Sequence, residues 1–289
     1  MERVRVRAVR IDDIHDARLA PYAGVGQPEL LRDRGLVLVE GRFVVRRLID
    51  SKRVTFVSLL VNDAAFRALE DVLERTEDRL DVYVAPPAVV NAVTGVNIHR
   101  GCLAIAERPR ELSMAALIPA ATFVAVLERV ADADNVGVVF RNAEAFGVEA
   151  VLLSPGCGDP WYRKSIRTSS GATLTVPSVT ADPWPRALHE LRAAGFVIVA
   201  LTPDRNAMTI EEFVGTATAR GRVAVLLGTE GDGLTDDALA AADVRVRIPM
   251  HAPPERVTGA LDSLNIATAA GIAFHRLHEA RSRSFCEGE

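Results

Sequence analysis

Apolar positions along this chain fall into two alternating patterns. Residues 36–40 (LVLVE), 54–61, 80–85 and 102–107 are short apolar runs of strand length. Between them, residues 42–51 and 63–75 carry apolar side chains at helical spacing, with Phe66, Leu69, Val72 and Leu73 on one face. Asn62 stands where a helix N-cap is needed. Pro28 at a first turn predicts a short helix over 28–34, and 87–94 predicts another, closed by Gly95. These elements make an alternating α/β unit of about 100 residues.

Residues 109–121 hold two prolines and no clean period, which predicts a linker. Beyond it the pattern resumes. Strands are predicted at 122–127, 150–154, 196–201, 222–227 and 244–248. Helices are predicted within 132–147, capped by Asp134 or Asn135 and ended by Gly147, and over 185–194 and 263–281. Strands alternating with helices predict a mainly parallel sheet covered on both faces. The fold class is therefore α/β, with domains at 1–108 and 122–289 joined by 109–121.

Composition narrows the classes without choosing a function. Hydrophobic residues are 49% and charged residues 25%, as in ordinary globular proteins. No apolar run reaches the ~18–20 residues of a membrane helix. The early residues carry acids and no apolar core, which predicts neither a secretory leader nor a transit peptide. Cys102, Cys157 and Cys286 are odd in number and far apart, so they predict thiols in a reducing cytoplasm, with no disulfide framework or metal site. Net charge is −4 overall but +2 over residues 1–110, so any RNA surface must be a local patch.

Candidate chemistry gathers near the C-terminus. The strand at 222–227 ends in a turn, Gly228-Thr229-Glu230-Gly231-Asp232-Gly233, that lacks both the Rossmann spacing and the Lys-Ser/Thr of a phosphate loop. Its two acids disfavour phosphate and suit a neutral or cationic ligand. A second strand ends at Ile248-Pro249-Met250, and Ser263-Leu264-Asn265 opens a helix of small residues. Basic positions form two other groups. Arg46, Arg47 and Arg53 lie with His99 and Arg100 in the first domain, and Arg163, Lys164 and Arg167 follow Trp161 and Tyr162. Each group suits RNA phosphates or a splayed base, with solvated surface as the plain alternative.

Taken together, three motifs stand in register: N-x-G-x-x-x-R-x-x-x-x-F-G at 135–147, L-x-G-x-E-x-x-G-L at 226–234, and I-P-M at 248–250 with S-L-N at 263–265. In that order they resemble the SpoU-type RNA 2′-O-ribose methyltransferases of the SPOUT superfamily. The resemblance covers about residues 120–282. It implies a deep trefoil knot in the C-terminal part of the sheet, a homodimer through the knotted domain, and S-adenosylmethionine as methyl donor. The catalytic group it implies is Arg141, Asn135, Glu230, Ser263 and Asn265. The donor pocket it implies is Thr202, Leu227, Gly228, Glu230, Gly231, Ile248, Met250, Ser263 and Leu264. No metal is expected, because the leaving group is a neutral thioether. The first domain, ending in H-R-G-x-L-A at 99–104, is similar to the L30e-like substrate-binding domain that often precedes this catalytic one. A separate RNA-binding domain favours ribosomal RNA, with 23S rRNA first and tRNA second. A non-catalytic RNA-binding or ribosome-assembly factor is the alternative of a different class. One departure from the family is length: twelve residues separate Met250 from Ser263.

Overall fold

The computed structural model describes residues 8–286 apart from 27, 52, 77–79, 96–97, 99–100, 230 and 252–262. Two compact units divide it: residues 1–110 with 160–175, and residues 111–159 with 176–289.

The first unit runs β1 (Ala8–Arg10), a 3-10 segment (Ala17–Gly26), α1 (Pro28–Asp33), β2 (Leu36–Glu40), α2 (Arg42–Asp50), β3 (Phe56–Val61), α3 (Asp63–Leu73), β4 (Asp81–Val84), α4 (Pro87–Thr94) and β5 (Cys102–Glu107). Its sheet has the order β1-β4-β3-β5-β2, with β5 antiparallel to both its neighbours. Side chains alternate across a strand. Val37, Val39, Leu59, Val61, Ala104 and Ala106 therefore enter one core, while Leu38, Leu60, Leu103 and Ile105 enter the other. Each such Val or Leu contributes about 1.5–3 kcal/mol on burial. Asn62 caps α3 as expected, accepting from the Ala65 N–H at 2.8 Å. Burial pushes the Cys102 thiol up to about 12, so this cysteine is an inert core residue.

The second unit begins with α5 (Met114–Leu117), β6 (Phe123–Leu127), α6 (Ala133–Ala145) and β7 (Ala150–Leu153). The linker expected at 109–121 thus contains one helical turn, capped by Ser113. The N-cap of α6 is Asp132, not Asp134 or Asn135. Its carboxylate accepts from the N–H groups of Asp134 at 2.6 Å and Asn135 at 3.2 Å, so the cap stands two residues before the earlier of the two expected positions.

Residues 160–175, which the sequence pattern places in the second domain, group with the first unit. This segment contains α7 (Arg163–Thr168), whose Ile166 is buried in the core beneath α2 together with Leu174. Gly171 takes φ +84, and a Cβ there would come within 3.1 Å of Val44.

The chain continues with β8 (Ser178–Thr180), α8 (Arg186–Ala193), β9 (Val197–Leu201), β10 (Met208–Thr209), α9 (Ile210–Val214), β11 (Val223–Leu227), α10 (Asp236–Ala241), β12 (Val244–Arg247) and α11 (Ile266–Cys286). Seven strands, two more than expected, form an all-parallel sheet in the order β10-β12-β9-β11-β6-β7-β8. Every residue of β6, β7 and β11 is buried, as a parallel sheet covered on both faces requires. Helix α11 starts three residues later than expected and packs on α6 and on β6: Phe274 is fully buried, edge-on to Phe123. The trefoil knot is expected in the C-terminal part of this sheet, a stretch that includes residues 252–262, which lie outside the described residues.

Candidate active site

In the second unit, β9, β11 and β12 are neighbouring parallel strands that end on the same edge of the sheet. Strand ends of this kind leave backbone N–H and C=O groups open to a ligand. After β11 the chain must turn sharply. Gly228 permits this: a Cβ there would lie 2.3 Å from the Gly233 carbonyl carbon. The turn closes with the Gly233 N–H donating to the Thr229 carbonyl at 3.0 Å, and Gly233 itself takes φ +70. Only glycine adopts that conformation without strain.

A cavity of about 390 Å³ lies against this turn. Thr202 enters from the end of β9, Leu227, Gly228 and Gly231 from β11 and the turn, Ile248 and Met250 from the chain after β12, and Ser263 and Leu264 from the approach to α11. These are eight of the nine residues that the resemblance assigns to the methyl donor. The ninth, Glu230, lies outside the described residues. Asp232, one of the turn's two acids, also lines the cavity, as do Pro203, Leu239 and Ala269, which carry no sequence signal of their own. The lining combines apolar walls with strand-end backbone, as small-molecule sites do.

Next to the cavity, α6 and α11 face each other across an open groove of about 650 Å³. Asn135, Asn142 and Asn265 line it, with Asp134, Phe146 and His275. Asn265 donates through Nδ2 to the Asn135 Oδ1 at 3.0 Å. Its own Oδ1 accepts from the N–H of Ala267 at 2.9 Å, holding the first turn of α11. Asn142 donates to the Ala267 carbonyl at 2.7 Å, and a Cβ on Gly271 would press within 3.1 Å of that amide. The opening of α11 separates the two hollows. Ser263, Leu264, Ile266 and Ala269 face the cavity, while Asn265, Ala267 and Thr268 face the groove. Arg141 is exposed on α6, one turn beyond Val138 of the groove, and lines neither hollow.

The basic residues of the first unit divide by what they touch. Arg46 makes paired bonds of 2.7 Å to Asp71 and also reaches the Ala68 carbonyl. That guanidinium holds the Asp71 carboxyl below its ordinary range. Arg47 donates to the Ser170 carbonyl at 3.2 Å and to Thr175 Oγ1 at 3.1 Å, and Arg53 donates to the Thr175 carbonyl at 2.9 Å. Arg163 bonds Glu40 at 2.6 Å. These four guanidiniums, expected to face RNA, are engaged by protein acceptors: Arg46 ties α2 to α3, while Arg47, Arg53 and Arg163 fasten 160–175 within its own unit. Lys164 sits on α7 half-buried, and Arg167 is exposed there. His99 and Arg100 lie outside the described residues. Sequence reasoning passed over Phe43, 59% exposed beside the exposed Arg42. Among the described residues, no group of three or more His, Cys, Asp or Glu is placed to hold a metal ion, and no helix is long and apolar enough to cross a membrane.

An all-parallel α/β sheet with a glycine-turn cavity at its strand ends defines a small-molecule-binding α/β domain. The chain belongs to the SpoU rRNA Methylase family, whose model matches residues 122–275. It is 40% identical over 266 residues to the uncharacterized tRNA/rRNA methyltransferase Rv0881 of Mycobacterium tuberculosis, a match spanning 92% of this chain and 87% of the relative. It is 26% identical over 240 residues to the 23S rRNA (guanosine(2553)-2′-O)-methyltransferase RlmP of Bacillus subtilis, covering 83% and 87%. Among solved structures, an RNA 2′-O ribose methyltransferase superposes with TM-score 0.76 at 25% identity, covering 95% of this chain and all of the other. The AdoMet-bound rRNA methyltransferase of Sinorhizobium meliloti shares the fold, with TM-score 0.72 at 22% identity, covering 96% and 98%.

Proposed function

We propose that this protein methylates a ribose 2′-hydroxyl in structured RNA, with 23S rRNA as the substrate, using S-adenosylmethionine. The observation that carries the proposal is the convergence, on one cavity at the ends of β9, β11 and β12, of eight residues from four separate stretches of the chain. The residues present fit the donor. Gly228 and Gly231 leave the turn's backbone open to close approach, while Leu227, Ile248, Met250 and Leu264 offer apolar walls.

S-adenosylmethionine supplies an electrophilic methyl group whose transfer leaves a neutral thioether. The protein's task is to align the hydroxyl and ease the loss of its proton. The Arg141 guanidinium holds a phosphate beside the target ribose and lowers the hydroxyl's pKa. Asn135 and Glu230 are assigned to orienting that guanidinium, an acid being the residue type suited to pair with it. Ser263 and Asn265, on either side of the divide between cavity and groove, bond near the ribose.

The first unit serves as an L30e-like RNA-binding domain. Arg42, Phe43, Lys164 and Arg167 are its candidate contacts, by charge and base stacking. Homodimerisation through the α6–α11 region fits the open groove there. A cytoplasmic location goes with a ribosomal RNA substrate. The RlmP relative, which matches both units, favours rRNA over tRNA. Incubating the protein with methyl-labelled S-adenosylmethionine and total RNA tests the reading. Label is expected in 23S rRNA as 2′-O-methylnucleoside; label only in tRNA, or in bases, contradicts it.

A further inference from the structure

Glu128 follows the last residue of β6 and is fully buried. Three neutral donors meet its carboxylate. Trp184 Nε1 donates to Oε1 at 2.8 Å, the Thr235 hydroxyl donates to Oε1 at 2.6 Å, and the Thr235 backbone N–H donates to Oε2 at 2.8 Å. A buried carboxylate is costly unless its oxygens are satisfied in this way. Its backbone is used as well: the Glu128 N–H donates to the Leu227 carbonyl at 2.8 Å.

The placement of these partners gives the residue its meaning. Leu227 and Thr235 bracket the glycine turn 228–234. One residue therefore grips the turn at its start through its backbone and at its end through its side chain. Six residues of that turn line the cavity. Thr235 also caps α10 by accepting from the Ala238 N–H at 3.3 Å, and Leu239 of α10 lines the same cavity. We infer that Glu128 is a positioning residue for the methyl-donor site, fixing the turn in the shape that receives the donor. The inference rests on the proposal that this cavity binds S-adenosylmethionine.

Only a carboxylate meets the demand. A glutamine offers one acceptor oxygen and one NH2. In either orientation its NH2 faces a donor: the Thr235 N–H on one side, or the Trp184 N–H and the Thr235 hydroxyl on the other. Thr235→Val removes one donor and leaves the backbone N–H, while Thr235→Ser keeps both.

Calorimetry with S-adenosylmethionine on the full-length protein tests this, with thermal unfolding and RNA affinity measured on the same samples. Glu128→Gln and Thr235→Val are expected to raise the Kd for the donor about tenfold or more, leaving RNA affinity unchanged. Thr235→Ser is expected to stay within about twofold of wild type. If Glu128→Gln does not fold, the Thr235 pair carries the test. Donor Kd values for Glu128→Gln and Thr235→Val that match wild type, even with lowered Tm, would overturn the inference and make the cluster purely structural. Failure of the wild-type protein itself to bind the donor is a separate result, which overturns the cavity assignment and the inference with it.

Discussion

Arg141 is the residue on which the proposed chemistry depends most. It stands exposed on α6 and takes no part in the walls of either hollow. In the proposed reaction its partner is a phosphate of the substrate. Arg141→Ala is expected to lower the methylation rate by about 100-fold or more. Donor affinity by calorimetry should stay within about twofold of wild type. Unchanged turnover would remove Arg141 from the reaction. At this scale the sequence was legible where a residue needs only its neighbours. Gly228, Asn62 and the strand-end apolar residues are examples. Glu128 was not legible, because its partners Trp184 and Thr235 lie 56 and 107 residues away.

The element with most to lose from a single change is the opening of α11. Asn265 bonds the first turn of its own helix and reaches across to Asn135 on α6. Losing such a cap costs about 0.5–2 kcal/mol. Asn265→Ala is therefore expected to lower Tm by a few degrees and to reduce turnover more than it weakens donor binding. Full turnover with lowered Tm would leave Asn265 as a cap alone. Long apolar runs made the central strands easy to read, whereas β8 and β10 have three and two residues and no period to detect. Helix α10, DDALAA, is too short and too small-sided to show a face. The charges on α2 and α7 were plain, but their acceptors were not. Arg47 and Arg53 bond residues more than 120 positions away, so the same arginines read as RNA contacts from sequence and as fasteners from structure.

For the whole molecule, the division into two units was visible in the pattern of runs. The membership of residues 160–175 was not, because chain order cannot show that Ile166 and Leu174 complete the core beneath α2. In the proposed function the second unit carries the donor cavity and the chemistry, and the first unit supplies RNA recognition. The central claim joins both: one ribose in 23S rRNA is this protein's target. The most direct measurement maps 2′-O-methyl groups across rRNA and tRNA by mass spectrometry in a strain lacking the protein. The same strain is mapped again with the wild-type or the Arg141→Ala chain restored. The account predicts one 23S 2′-O-methyl site lost on deletion, recovered with wild type and still missing with Arg141→Ala. An rRNA map unchanged by deletion, or a site restored by Arg141→Ala, would contradict it.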